Sequence, residues 1–217
     1  MRFGSIKTRI ATFSFVAIAS LTACSTQQSG NLVTSTTINA SDQQMNHNMA
    51  MDLGPADADY DLRYIDAMTL HHLGAVDMAK DALEKAQHPQ IKRLAEDISR
   101  TQNKEIAEMK KWRQTWYPQA GNKPMAYNSQ TLHMMEMPSD QMKSMMMSMD
   151  LGATDANFDL RFLNAMILHH EAAVTMATDA LKNSKRPRIK EVSQDISRSQ
   201  QVEIRQMQQW RKAWYKQ

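Results

Sequence analysis

The sequence contains two pairs of adjacent histidines, each with methionines nearby. Their residue types and spacing are those best suited to binding a metal ion. The first set is His71 and His72 with Met68 and Met78, and the second is His169 and His170 with Met166 and Met176. Imidazole and thioether together suit Cu(I) or Ag(I), whereas imidazole alone suits Cu(II) or Zn(II). Cys24 is the only cysteine, so no disulfide forms within the chain. The pairs predict a metal site of imidazole nitrogen and thioether sulfur.

An internal duplication relates the two histidine pairs. Residues 51–117 align with residues 149–215 at a fixed offset of 98, without a gap, and 36 of the 67 positions are identical. A repeat of this kind indicates that one supersecondary unit occurs twice in the chain. Any site that one copy forms is therefore expected in the other copy as well.

Each copy predicts one helical hairpin. Apolar residues recur at spacings of three and four, and no strand signal occurs anywhere in the sequence. The first helices are expected over residues 58–86 and 156–184, and Pro89 and Pro187 begin second helices that run to the end of each copy. Each helix would be on the order of 40 Å long, and the four predict an all-α four-helix bundle. The expected N-cap residues are Asp57, Asp59, Asp155 and Asn157.

In the antiparallel hairpin, certain side chains of the first and second helices are expected at the same level along the hairpin axis. If the first hairpin turns near residues 87–88, Met68 faces Met109 and both histidines face Glu105. Gln102 and Glu105 interrupt an otherwise apolar stripe, and burying them without partners would be costly, so polar groups should face them. The matching residues of the second copy are Met166, His169, His170, Gln200, Glu203 and Met207.

Methionine is more abundant than core packing requires. The chain has 19 methionines beside five phenylalanines and six glycines, and eight of the 19 lie between residues 127 and 149. Alternate methionines in a flexible stretch can wrap a soft monovalent ion with little strain. The alternative is an apolar peptide that docks on the bundle. By the same offset of 98, His47, Met49 and Met51 match Met145, Met147 and Met149.

Each candidate ligand also has a purely structural interpretation. A buried histidine is more often hydrogen-bonded, here to Glu105 or Gln102, than bound to a metal, and a methionine on an apolar stripe is usually core. The same set of histidines, methionines and glutamate occurs in both copies. Together with the methionine-dense connector, this duplication favours metal binding. The candidate ligands are Met68, His71, His72, Met78, Met109, Met166, His169, His170, Met176, Met207, His47, Met49, Met51, His133, Met134, Met135, Met137, Met145, Met147 and Met149.

The N-terminal residues predict export. Three basic residues precede an apolar run that is too short for a permanent membrane span, and a small-residue cleavage site follows. Residues 21–24 are also typical of a lipobox that would leave Cys24 lipidated, and ordinary cleavage nearby is the alternative. Removing residues 1–23 leaves 23 basic and 23 acidic residues, so nothing in the mature chain favours a nucleic-acid surface.

The pattern divides the chain into five segments. They are a signal peptide (1–23), a flexible tether (24–44), a first helical-hairpin repeat (45–118), a methionine-rich connector (119–148) and a second repeat (149–217). The tether is rich in Ser, Thr, Gln and Asn and has few large apolar groups, which is typical of a flexible linker. The two repeats are expected to pack as a single bundle.

The strings DLRYIDAMTLHHLGAVDMAKDAL and DLRFLNAMILHHEAAVTMATDAL, followed by QNKEIAEMKKW and QQVEIRQMQQW, resemble a bacterial family of domains of unknown function. The resemblance covers residues 45–217 and is most specific at the His-His pairs. It implies a ferritin-like bundle and, with the export signal and two units, a cyanobacterial type of copper-binding protein. It further implies binding of Cu(I) and Cu(II) in the periplasm or outside the cell, in copper resistance, with a copper efflux or sensor system as candidate partner.

Two other functions compete with copper binding. A ferritin-like di-iron redox enzyme would need several carboxylates, commonly including Glu-x-x-His motifs, but each repeat offers only Glu105 or Glu203 in its stripe. An interaction module that binds no metal would use the histidines and methionines for packing alone. Neither alternative explains why the same layer is duplicated beside a methionine-rich connector, so we expect a binding protein rather than an enzyme.

Overall fold

The computed structural model describes residues 52–217, and within them five helices and one β-hairpin. The all-α class predicted from the sequence is confirmed. The elements are α1 (Tyr60–Lys85), α2 (Pro89–Trp116), β1 (Met125–Asn128), β2 (His133–Glu136), α3 (Ser139–Met146), α4 (Phe158–Asn183) and α5 (Pro187–Tyr215). The predicted signal peptide and tether, with His47, Met49 and Met51, lie outside the described residues.

The first helix of each repeat begins at an aromatic residue, two positions after the expected start. Asp59 and Asn157 occupy the N-cap positions, but neither side chain caps its helix, contrary to the sequence-based prediction. Both residues have helical rather than extended backbone angles, which turns the side chain away from the first amides. Instead, an Asp57 carboxylate oxygen accepts the Asp59 amide at 3.0 Å, and Asp155 accepts the Asn157 amide at 2.9 Å.

The two hairpins pack against each other through α1 and α4. Ile65, near the start of α1, shares one apolar core with Ile189, near the start of α5. Their counterparts Leu163 and Ile91 share the other core. The open end of each hairpin therefore meets the turn end of the other, so α1 and α4 run antiparallel and an approximate twofold axis relates the repeats.

The connector holds the one element that the periodicity analysis excluded. Strands β1 and β2 pair antiparallel, with Met125 opposite Glu136 and Asn128 opposite His133. Each strand has four residues, which is too short for an alternating pattern to stand out in the sequence. The prediction of no strand is therefore wrong for this segment, although the fold class is unchanged. Helix α3 follows β2 and packs on α1.

An ion pair between a buried carboxylate and a half-buried guanidinium fixes the connector to the first hairpin. The Arg113 guanidinium binds the Asp66 carboxylate, which also accepts the Met125 amide at 2.8 Å. Arg113 donates further to the backbone carbonyls of Gly121 and Lys123. One side-chain pair thus determines where the β-hairpin starts relative to α1.

Replacing Asp66 by alanine should lower the free energy of unfolding by about 3 kcal/mol, because it leaves the Arg113 charge without its partner. Urea unfolding followed by circular dichroism measures the loss. Asn164→Ala is the matched control, since Asn164 is the counterpart in the second repeat and makes one 3.1 Å bond to Arg211. A loss no larger than that of the control would contradict the assigned role of Asp66.

Candidate metal centre

Four histidines form a buried layer in the middle of the bundle. The side chains of His71, His72, His169 and His170 have no exposed surface. They come from the fourth turn of α1 and of α4, near the middle of each helix, where the three-four apolar spacing directs them inward. A layer of imidazoles inside an apolar core is costly unless hydrogen bonds or ligands satisfy the ring nitrogens.

One histidine of each pair binds the glutamate that the sequence placed opposite it. The distance from His72 Nε2 to a Glu105 carboxylate oxygen is 2.8 Å. In the second repeat, His170 Nε2 lies 2.6 Å from a Glu203 carboxylate oxygen. These bonds orient both rings and fix the register of each hairpin.

The other histidine of each pair meets its counterpart across the hairpin interface. The ring centroids of His71 and His169 are 3.7 Å apart, and the ring planes are inclined by 43°. His169 Nε2 also lies 3.1 Å from the backbone carbonyl oxygen of Met146, at the end of α3. The centre of the layer is therefore shared between the two repeats.

Thioethers flank this layer on both sides, and each set mixes the two hairpins. Met68 and Met109 share a core with Met176, whereas Met166 and Met207 share the other core with Met78. The side chains of all six are at most 1% exposed. Because Met68 precedes and Met78 follows the histidines of α1, the two sets lie on opposite sides of the imidazoles along the bundle axis.

Buried polar atoms accompany the layer. Gln102 and Gln200 are 2% and 3% exposed, and their side-chain carbonyl oxygens make no hydrogen bond within the described residues. The Nδ1 atoms of His72 and His170 also make none there. Buried groups of this kind usually bind water or an ion. Within residues 52–217, no three side chains from His, Cys, Asp and Glu converge as a metal-binding group.

The comparison with known proteins places the chain in a family. The model of a domain of unknown function, DUF305, matches residues 61–211, which is most of the part that the structure describes. The chain belongs to the DUF305 family. The family relationship predicted from the histidine-bearing strings is thereby confirmed.

The DUF305 chain is similar to solved structures of CopM. The Cu(II)-bound form is 42% identical with a TM-score of 0.58, and the alignment covers 71% of this chain and 97% of CopM. The Cu(I)-bound form is 41% identical with a TM-score of 0.55 and the same coverage. A silver-soaked form is 40% identical with a TM-score of 0.56, again over 71% and 97%. The resemblance to a copper-binding protein is therefore also confirmed.

A more distant solved structure shares the fold, and one curated protein matches part of the sequence. A DUF305 fragment from Deinococcus radiodurans is 27% identical with a TM-score of 0.55, and the alignment covers 71% of this chain and 95% of that one. Protein L153 of Acanthamoeba polyphaga mimivirus is 47% identical over 49 residues, or 23% of this chain. The match spans about a third of the length of that curated relative, at 32%.

The connector methionines divide into buried and outer groups. Met137 and Met145 are buried in the core that contains Met68 and Met109, and Met147 is also buried. Met149 packs, partly buried, against the core of Met166 and Met207. By contrast, Met134 and Met135 are half-buried on β2, and His133 is exposed there. The structure thus brings some connector thioethers towards the layer and leaves His133 outside it.

Burial and, to a smaller extent, the neighbouring His170 together lower the pKa of His169 to about 3, although the bond to the Met146 carbonyl opposes the shift. The ring is therefore neutral at physiological pH, as a metal-binding imidazole must be.

The metal-free protein should lose stability as the pH falls below 6.5 towards 3. The unfolded chain then gains a proton on His169 that the folded chain excludes, at a cost of at most about 1.4 kcal/mol per pH unit. Urea unfolding at pH 7, 6 and 5 measures the slope, which His169→Phe should reduce. An equal slope in the variant would contradict the role of His169. His88→Phe is the control, because it removes one imidazole that lies outside the buried layer.

Glu105 connects the buried layer to solvent. Its side chain is 13% exposed and lines an open groove of about 250 Å³ between α2 and α5. Glu108, Glu191 and Asp195 contribute further carboxylates to the same groove. Lys104 and Arg188 also line the groove, so its surface carries charges of both signs. His72 is separated from it by the side chain of Glu105.

Proposed function

We propose that this DUF305 protein binds copper as cargo, as Cu(I) or Cu(II), and also Ag(I), in a histidine–thioether centre between its two hairpins. The observation that carries the proposal is the contact of His71 with His169, flanked on both sides by methionines from both repeats. The similarity to CopM, solved with Cu(I), Cu(II) and silver, supports the choice of ions.

The donor atoms suit both oxidation states of copper. Thioether sulfur is soft and prefers Cu(I) or Ag(I), and neutral imidazole also binds Cu(II). The apolar surroundings exclude water, which strengthens the electrostatic interaction between a bound ion and its ligands. Because Glu105 and Glu203 hold His72 and His170, one imidazole of each repeat is oriented before an ion arrives.

We assign two related sets of inner ligands, each drawn from both repeats. His71 and His169 lie between them, and the duplicated histidines and thioethers complete each set. Connector methionines supply further thioethers. The inner candidates are Met68, His71, His72, Met78, Met109, Met166, His169, His170, Met176 and Met207. The connector candidates include Met137, Met145 and Met147, which are buried, and Met149, which is partly buried.

Cargo binding fits the layer better than di-iron redox chemistry. A di-iron centre is normally built from carboxylates on several helices. Within residues 52–217, the carboxylates seen to bind the histidine layer are those of Glu105 and Glu203. Each of these carboxylates already binds a histidine. We therefore propose a role in copper sequestration, resistance or delivery without catalysis.

The predicted leader sequence supports a proposal for the cellular setting. No helix within residues 52–217 has both the length and the apolar character needed to cross a membrane. We propose export to the periplasm or beyond, with Cys24 as a lipid attachment point and a copper efflux or sensor system as recipient. Labelling with a radioactive fatty acid tests the anchor, because a Cys24→Ser variant should lose the label if it is correct.

Ag(I) or Cu(I) should raise the melting temperature of the protein, because an ion that binds only the folded state stabilises it by mass action. At free ion 100 times the dissociation constant the gain is about 2.7 kcal/mol. Differential scanning fluorimetry with and without Ag(I) measures the shift. An unchanged melting temperature, together with no retained metal after desalting, would contradict the proposed function.

A further inference from the structure

A glycine in the middle of α1 lets the connector reach the histidine layer. A Cβ atom on Gly74 would lie 1.7 Å from the Met146 carbonyl oxygen and 3.3 Å from His169 Nε2. Real Cβ atoms do not approach a backbone oxygen this closely, so the observed arrangement requires glycine. Glycine within a helix costs about 1 kcal/mol relative to alanine, and at this position it allows the close approach.

The second repeat lacks this opening. The counterpart of Gly74 is Ala172, at the same place in α4 relative to its histidine pair. Ala172 carries the Cβ atom that the geometry at Gly74 forbids. At this position the two repeats therefore differ by one Cβ atom.

The carbonyl contact determines which nitrogen of His169 carries the proton. A carbonyl oxygen only accepts hydrogen bonds, so Nε2 of His169 must be the protonated nitrogen that donates at 3.1 Å. In the neutral ring, Nδ1 then keeps its lone pair, and it makes no hydrogen bond within the described residues. Fixing the tautomer of a ligand histidine through the opposite nitrogen is a general way to orient it for a metal.

We propose that Gly74 and the Met146 carbonyl are positioning residues that hold His169 in its Nε2-protonated form and so present Nδ1 to the ion. This inference rests on the proposed function for its consequence in metal binding. The connector thereby acts on the ligand set that includes His169.

Two-bond proton–nitrogen correlation spectra of the metal-free full chain test the tautomer directly. We expect a single Nε2-protonated form for His169, assigned by the signal that disappears in His169→Phe. A mixture of tautomers, or the Nδ1-protonated form, in the wild-type chain would overturn the proposal. This measurement needs no substitution at Gly74, so it remains decisive even if a Gly74 variant folds poorly.

Gly74→Ala should displace the connector carbonyl and weaken Ag(I) binding at one set by about 10- to 100-fold, as is usual when the outer partner of a ligand histidine is lost. Competition titration of the full chain measures both sets. Ala172→Gly is the matched control, and it should leave both affinities within about twofold of the parent. Helix propensity alone would instead make Gly74→Ala more stable with unchanged binding, and that result would overturn the proposal.

The outcomes separate this inference from the proposed function. If the chain binds Ag(I) and Gly74→Ala binds it as the parent does, the inference fails and the proposed function stands. If neither parent nor variants retain Ag(I), the proposed function fails. In that case a single Nε2-protonated form of His169 would still support the positioning role of Gly74 and the Met146 carbonyl, and a tautomer mixture would overturn it.

Discussion

Replacing His71 and His169 together by phenylalanine should remove most high-affinity binding of Cu(I) and Ag(I), with a loss of at least about 100-fold, equivalent to about 2.7 kcal/mol. The two rings touch across the interface between the hairpins, so each imidazole lies within reach of ligands from both repeats. Phenylalanine keeps a ring of similar size in the layer and removes the nitrogens. Equilibrium titration against a competing chelator measures the loss, and circular dichroism checks the helices.

His88→Phe is the control for this double substitution. His88 lies at the turn between α1 and α2, where its ring stacks on Trp214 at 4.0 Å and its Nδ1 lies 2.6 Å from Asp159. It is thus an ordered histidine outside the layer. Binding in the double variant that equals binding in the control would place the copper ligands elsewhere, with the methionine segments as the next candidates.

Replacing Met68, Met109 and Met176 together by leucine should weaken Cu(I) and Ag(I) more than Cu(II). Thioether sulfur contributes chiefly to soft-ion affinity, and the imidazoles that suit Cu(II) remain. We expect at least about a tenfold loss per ligand removed, each tenfold corresponding to about 1.4 kcal/mol. Leucine conserves side-chain volume, so each substitution should cost less than about 1.5 kcal/mol of stability.

Competition titrations with Ag(I) and with Cu(II) on the same preparation measure this selectivity. Met125→Leu is the control, because Met125 lies on β1, where it pairs with Glu136. Equal losses for both ions would contradict a specific role for sulfur. Unchanged Ag(I) affinity would show that these thioethers serve as core alone.

The duplication made much of the architecture predictable. A repeat of 67 positions with proline after each first helix fixed two hairpins, and the turn position placed His72 opposite Glu105. These relations are local, because in a hairpin with a tight turn a residue of one helix faces the residue of the other helix that lies at the same distance from the turn. The caps were mispredicted because backbone angles at Asp59 and Asn157 are not encoded by residue type alone.

The relation between the hairpins could not be read from the sequence. An offset of 98 residues shows that two units exist but does not show which faces meet, because both first helices carry an apolar stripe of the same kind. The contact of His71 with His169 depends on that packing. Gly74 was the available signal for the connector contact, since a glycine stands in mid-helix where the other copy has alanine.

The most direct test of the central claim is an anomalous-difference map from crystals of the full chain loaded with Ag(I) or Cu(I). We predict a peak inside the bundle between α1 and α4, within bonding distance of imidazole nitrogen from His71 or His169 and of at least one flanking thioether. Peaks confined to exposed sites such as His133, with the buried layer free of metal, would contradict the account.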